Sequence, residues 1–279
     1  MRKKIKRESV IDTIIYLIVK VKNDDIFGSG AQLAYYLMLA FFPFLIFLMT
    51  LIGFSHLSST DVLEWIQRLL PGSVYDLTKS TIVEVVDYQH TGILGASIVL
   101  TLWSASTGMR GVIKSINRAY DIQETRSFII RCIIGMLGVI GLALTVVSTL
   151  IMSVFGEVIG TFLTDVLPFG HVVAYLWNVV RHGAIIVILI AVFAIIYKIA
   201  PAKKVRFIDV LPGAIISTLG WLIASAGFSY YVNHFSNYSR IYGSLGTIFV
   251  LMTWLYITSM VFIFGVEINS VLENEKKWE

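Results

Sequence analysis

Apolar positions in this chain come in long blocks. Ala31–Gly53 runs 23 residues without a formal charge, Cys132–Phe155 24, Val210–Val232 23 and Tyr242–Val266 25. Gly92–Met109 adds 18, and Gly183–Tyr197 gives 15. A bilayer core about 30 Å thick takes about 20 apolar residues per crossing. The shortest block must therefore continue back through His182 and Arg181 toward Tyr175 to span. Lipid satisfies no backbone N–H or C=O, so a crossing is a helix or part of a closed barrel. Blocks of this length lack the alternation of barrel strands about ten residues long. The pattern predicts an all-α integral membrane protein, a six-transmembrane-helix bundle in one domain over residues 1–279. Its spans are about 31–53, 92–109, 132–155, 175–200, 210–232 and 242–266.

Ahead of the first block, Val10, Ile11, Ile14, Ile15, Ile18 and Val21 recur three or four apart, as in an amphipathic helix. Asp12 and Lys20 interrupt the run and no small-residue cleavage site follows. It reads as an N-terminal interfacial helix in the headgroup layer. Between the first two blocks, Val62–Leu70 and Leu77–Val86 have helical spacing around a Pro71-Gly72 turn. They predict two short helices on the outer surface. The first part of Arg110–Arg131 should extend the second span as a helix.

Composition sharpens this picture. The chain is 57% hydrophobic and 14% charged, against roughly 25% charged in soluble domains, which excludes an ordinary soluble enzyme. The lone Cys132 excludes an internal disulfide and a thiolate zinc cage. Lys and Arg alternate between the loops of a six-span arrangement, 18 on one side and 4 on the other. The positive-inside rule then puts both termini in the cytoplasm of a multi-pass protein.

Association in lipid relies on close packing of small residues. Gly213, Ser217, Gly220, Ala224 and Gly227 are spaced 4, 3, 4, 3 and predict a seam along almost the whole fifth span. Gly135, Gly138 and Gly141 make a shorter one in the third. Pro43 removes a backbone donor in the first span and should kink it there. Packing accounts for all of these residues; hinge motion in a transporter would use them as well.

Ionisable groups in or near a membrane are candidate functional residues. Trp103, Thr107, Arg110, Lys114 and Arg118 share a helix face and form a basic ladder where an anionic headgroup or substrate would enter. The competing reading is positive-inside anchoring with snorkelling side chains. Glu267 and Asn269 close the sixth span. Glu267 is a candidate partner for a cation of the ladder, as a gate or bundle clamp. Arg181 is a cation near the outer boundary, and it either binds an anion or snorkels. No HExxH, Walker, GxSxG or calcium-loop pattern occurs, and the five histidines are scattered. The residues suggest no catalytic group, metal or cofactor.

The strings AQLAYYLMLAFFPFL, WSASTGMRGVIKSINRAY, ETRSF, LPGA, YGSLGTIFVLMTWLY and GVEIN together resemble the YihY/BrkB family of bacterial inner-membrane proteins. The resemblance covers nearly the whole chain. It implies a six-helix plasma-membrane protein of a family once labelled ribonuclease BN, with members linked to transport, including lipid export or flipping. The ribonuclease label finds no support in the residues, since RNA cleavage needs placed acid–base groups or metal-binding carboxylates.

The leading expectation is a transporter or flippase-like protein for an amphipathic, anionic or lipid-linked compound, with membrane lipids as partners and no specific nucleic acid. The alternative is a non-transporting scaffold that recruits partners through basic cytosolic loops. The sequence sets no oligomeric state.

Overall fold

The computed structural model describes residues 10–53, 60, 63, 64, 67, 75, 79, 83, 94–166, 170–235 and 244–276. Among them are seven long helices: α1 (Val10–Asn23), α2 (Ile26–Gly53), α3 (Leu94–Ala119), α4 (Phe128–Val166), α5 (Gly170–Ile199), α6 (Phe207–Phe235) and α7 (Ser244–Lys276). Each of α2 to α7 packs on the next in the chain, and α7 returns to α2, so the six close into a ring. Helix α1 rests on α7. The two outer-surface helices expected within 56–91 lie largely outside the described residues.

Among the described residues, five helices are long and apolar enough to cross a membrane, with segments Ile26–Leu45, Phe128–Thr149, Val172–Ile199, Phe207–Val232 and Ile248–Glu273. Helix α3 has 26 residues, about 39 Å, but is not among the five. Ser104, Ser106, Thr107, Arg110 and Lys114 dilute its apolar character. As expected, it carries the second block onward as one helix to Ala119. Helix α5 runs unbroken through Arg181 and His182, which supplies the length that Gly183–Tyr197 lacks.

The side chains are sorted as a lipid solvent requires. Ile223 is 74% exposed and Ile208 73%, whereas Ser106, Ser217, Thr218 and Ser259 are fully buried. An apolar exterior around polar contacts is the membrane pattern, where hydrocarbon gives no reward for hiding Ile.

Two helix ends are set by aspartates in the left-handed region. Asp25 (φ 48°) makes the α1–α2 turn, and its Oδ1 accepts the Gly28 N–H at 3.1 Å. Asp121 (φ 56°) follows α3. There Ile122 N–H donates to Asn117 O and Asp121 N–H to Arg118 O, the paired bonds of a Schellman ending.

Candidate functional site

The chemistry gathers at the end of the ring where α1 sits. Helix α1 leaves Ile14, Ile15 and Ile18 exposed and turns Lys20 inward. Lys20, Asp24 and Glu267 are 3%, 9% and 1% exposed. Lys20 Nζ donates to Glu267 Oε2 at 2.5 Å, to the Ala119 carbonyl at 2.6 Å and to Asp24. All three ammonium donors are used. Burial by itself lowers the Lys20 pKa, but Glu267 and Asp24 outweigh it and hold the group above its ordinary 10.5. One buried cation therefore ties α1 to α3 and α7.

Beside it, Asn117 and Arg126 join the α3–α4 loop to the end of α5. Asn117 Nδ2 donates to Glu124 Oε2 at 2.8 Å, and its Oδ1 accepts the Ala202 N–H at 2.8 Å. Arg126 grips Glu124 through Nε and Nη2, both at 2.8 Å, and donates to Ala200 O at 2.7 Å. The Arg126 hydrogen bonds hold the Glu124 carboxyl down at about 2 against a smaller burial penalty. Lys203 lies 4.1 Å over the Tyr120 ring and pairs with Glu273 at 2.5 Å. Burial, then the negative field of Glu273, Asp209 and Glu267, pushes the Tyr120 phenol up.

Helices α6 and α7 meet backbone to backbone. Pro212 lies inside α6 and supplies no N–H. Next to this break, Asn269 Oδ1 accepts the Gly213 N–H at 2.7 Å and Nδ2 donates to Val210 O at 3.1 Å. A β-carbon on Gly265 would overlap Ser217 Oγ and approach Gly213 O within 2.7 Å. The Tyr197 hydroxyl donates to Phe262 O at 2.8 Å and shares a 2.8 Å bond with Ser217.

On the flank between α3 and α4 stands Arg110. Its guanidinium bonds Thr107 Oγ1 at 2.8 Å and the buried Cys132 Sγ at 3.3 Å. It lies 6.0 Å from the Trp103 ring centre and 5.6 Å from that of Phe128. Lys114 and Arg118 continue the same flank and are exposed.

The sequence model described as virulence factor BrkB matches residues 17–279. The chain belongs to the BrkB family. YfkH of Bacillus subtilis, a ribonuclease-like protein by name, is 40% identical over 250 residues, 90% of this chain and 91% of that one. A UPF0761 membrane protein of Alteromonas mediterranea is 25% identical over 270 residues, 93% and 88% of the two chains. One from Vibrio atlanticus is 24% identical over 274 residues, 94% and 83%. No solved structure matches the chain.

The strings that carry the BrkB resemblance are pressed together in space. Gly213 of LPGA bonds Asn269 of GVEIN. Glu124 and Arg126 of ETRSF hold Asn117 of the WSASTGMRGVIKSINRAY stretch and the end of α5. Gly108 and Gly111 of that stretch fit against Tyr36 and Ala40 of the first string.

Several expectations need correction. The cation on Glu267 is Lys20, not a member of the Arg110–Lys114–Arg118 ladder, because α1 packs onto α7 and reaches the carboxylate first. Asn269 is engaged with α6 backbone. Gly213, Ser217 and Gly220 do line the α6–α7 contact. The seam does not reach the far end, since Ala224 is only half-buried and Gly227 is exposed with no described atom within 4 Å of a β-carbon. Gly135 and Gly138 pack on Ser106 and Met109, whereas Gly141 faces open space among the described residues. Pro43 does lie inside the first long helix of the ring, α2, which continues on both sides of it. Arg181 lies away from the ladder, as its place in the sequence implied, about 18 residues up α5 from its α1-end terminus (about 27 Å), and its Nε is buried without a partner among the described residues. Among the described residues no three His, Cys, Asp or Glu side chains gather as a metal set.

Sequence reasoning passed over Lys20, Asn117, Glu124, Arg126, Arg131 and Tyr197. One signal was available for Lys20, a cation four residues before Asp24 in a helix with a long apolar face.

Proposed function

We propose that this BrkB-family protein is a transporter of flippase type in the bacterial inner membrane, moving an amphipathic anionic or lipid-linked compound. The reading takes α3 as a sixth span, placed between α2 and α4 in the helix ring. It takes the residues as one membrane domain, α1 as lying in the headgroup layer with Ile14, Ile15 and Ile18 toward lipid, and both termini as cytoplasmic. The 18-to-4 partition of Lys and Arg supports that orientation.

The observation that carries it is the flank of α3. Arg110 is half-buried in the wall of the bundle, with no carboxylate at ion-pair distance among the described residues, beside exposed Trp103. Arg110, Lys114 and Arg118 would capture the headgroup at the inner face. The compound would then pass along the bundle while α6 slides on α7 over the Gly213–Gly265 contact. The Lys20–Asp24–Glu267 cluster would hold the inner end shut between cycles. No step requires catalysis, and we read the protein as a non-enzyme.

Purified protein in liposomes should move fluorescent anionic lipid between leaflets, and Arg110→Gln/Lys114→Gln should slow it several-fold. Undiminished flux in the double variant would remove both residues from the mechanism. A second reading, a scaffold without flux, draws on the cross-linked inner end. It predicts a co-purifying partner lost on neutralising Lys114 and Arg118, with lipid scrambling at the level of empty liposomes.

A further inference from the structure

Phe128, in the first turn of α4, has two guanidinium groups around it. Arg110 from α3 is 5.6 Å from the ring centre and Arg131 from α4 itself is 6.0 Å. Neither has a carboxylate partner among the described residues, whereas Lys20, Arg126, Lys203 and Arg206 all do. The partners of Arg110 are the Thr107 hydroxyl and the Cys132 sulfur, neither of them a carboxylate. Arg131 Nε is buried and has no hydrogen-bond partner among the described residues. A guanidinium N–H in that condition is costly unless an acceptor arrives.

The backbone adds to the positive field. Ser127 caps α4, its Oγ accepting the Ile130 N–H at 3.4 Å. The start of α4, with its positive dipole end, thus faces the same corner. Around the corner the surface is greasy, with Trp103 45%, Phe128 53%, Ile129 68%, Ile130 46% and Ile133 51% exposed. A free anion has no use for such a rim; an acyl chain does.

We infer that the α3–α4 corner is a binding site for a phosphate-monoester lipid headgroup, clamped between Arg110 and Arg131. Charge matching selects the monoester. Two cations and a helix start present more than two positive charges, close to the two negative charges of a phosphate monoester and in excess of the one on a diester. The planar fork of arginine suits the bidentate phosphate contact. The inference gives a chemical class to the transported headgroup. It rests on the transport reading for the fate of the lipid, though not for its binding.

The test is lipid retention by the full chain. Protein in detergent micelles is mixed with equal phosphatidic acid, phosphatidylglycerol and phosphatidylcholine, and retained lipid is counted by native mass spectrometry. Phosphatidic acid should exceed phosphatidylglycerol severalfold. Arg131→Gln and Arg110→Gln should each lower its retention by about tenfold, while Lys204→Gln, an exposed cation elsewhere, leaves it unchanged. Equal retention of the two anionic lipids by the wild-type protein overturns the assignment, whether or not the variants fold. So does full displacement of the lipid by millimolar inorganic phosphate, which would make the site one for the free ion. Selective retention without flux sinks the transport reading alone, and flux without selectivity sinks this site alone.

Discussion

Lys20 and Glu267 lie 247 positions apart in the chain and meet as a buried ion pair, Nζ to Oε2 at 2.5 Å. Removing one member of such a pair leaves a charge stranded away from water. Lys20→Met would strand two carboxylates, Asp24 and Glu267, and should destabilise by about 3–5 kcal/mol. Glu267→Gln keeps an acceptor and leaves Asp24 on the ammonium, so a smaller loss of about 1–3 kcal/mol is expected. Denaturant unfolding in mild detergent measures both, and an equal loss in the two would show that Asp24 adds nothing.

The pH response has two limbs. Lys20 is raised above 10.5, so its contribution is complete below that pH and is lost as pH climbs through the higher folded value. Glu124 is lowered from 4.5 to about 2; its contribution is complete above 4.5 and is lost as pH falls toward 2. Stability from these two groups should therefore be flat from about pH 5 to 10. Glu124→Gln should flatten the acid limb and Lys20→Met the alkaline one, as read from unfolding midpoints across pH.

An added methyl should act oppositely at the α6–α7 contact and at the far end of α6. Gly265→Ala and Gly213→Ala place a methyl against backbone oxygen across the α6–α7 contact and should cost about 1–3 kcal/mol each. Gly227→Ala meets open space among the described residues and should be neutral or gain up to about 1 kcal/mol from helix propensity. Thermal stability of the three variants in one detergent decides this, and a loss at Gly227 as large as at Gly213 would restore a full-length seam.

Asn269 serves α6 through both ends of its amide. Asn269→Ala leaves the Gly213 N–H and Val210 O without those partners and should cost about 2–6 kcal/mol, roughly 1–3 for each of the two groups. Asn269→Asp keeps the acceptor for Gly213 but buries a carboxylate whose second oxygen faces the Val210 carbonyl, so it should fare no better than the alanine variant. Faster amide exchange at Gly213 in the alanine variant and slow exchange in the aspartate one would separate the two bonds.

Much of the fold is legible in the chain because hydropathy is local. A block such as Cys132–Phe155 must be a membrane helix wherever its neighbours go, since its own backbone can satisfy itself only that way. The glycine spacing of 213–220 likewise marks a contact face from sequence alone, although it does not tell where the contact ends. Partners are a different matter. Lys20 reads as a flaw in an amphipathic helix until α7 brings Glu267 to it, and Arg131 reads as one loop cation among five until the Phe128 ring is seen to hold both it and Arg110. The periodicity of a helix fixes which side chains share a face, but which faces meet depends on the packing of all the helices together. Charge partners in this protein are therefore a property of the tertiary structure, while its membrane character was settled residue by residue.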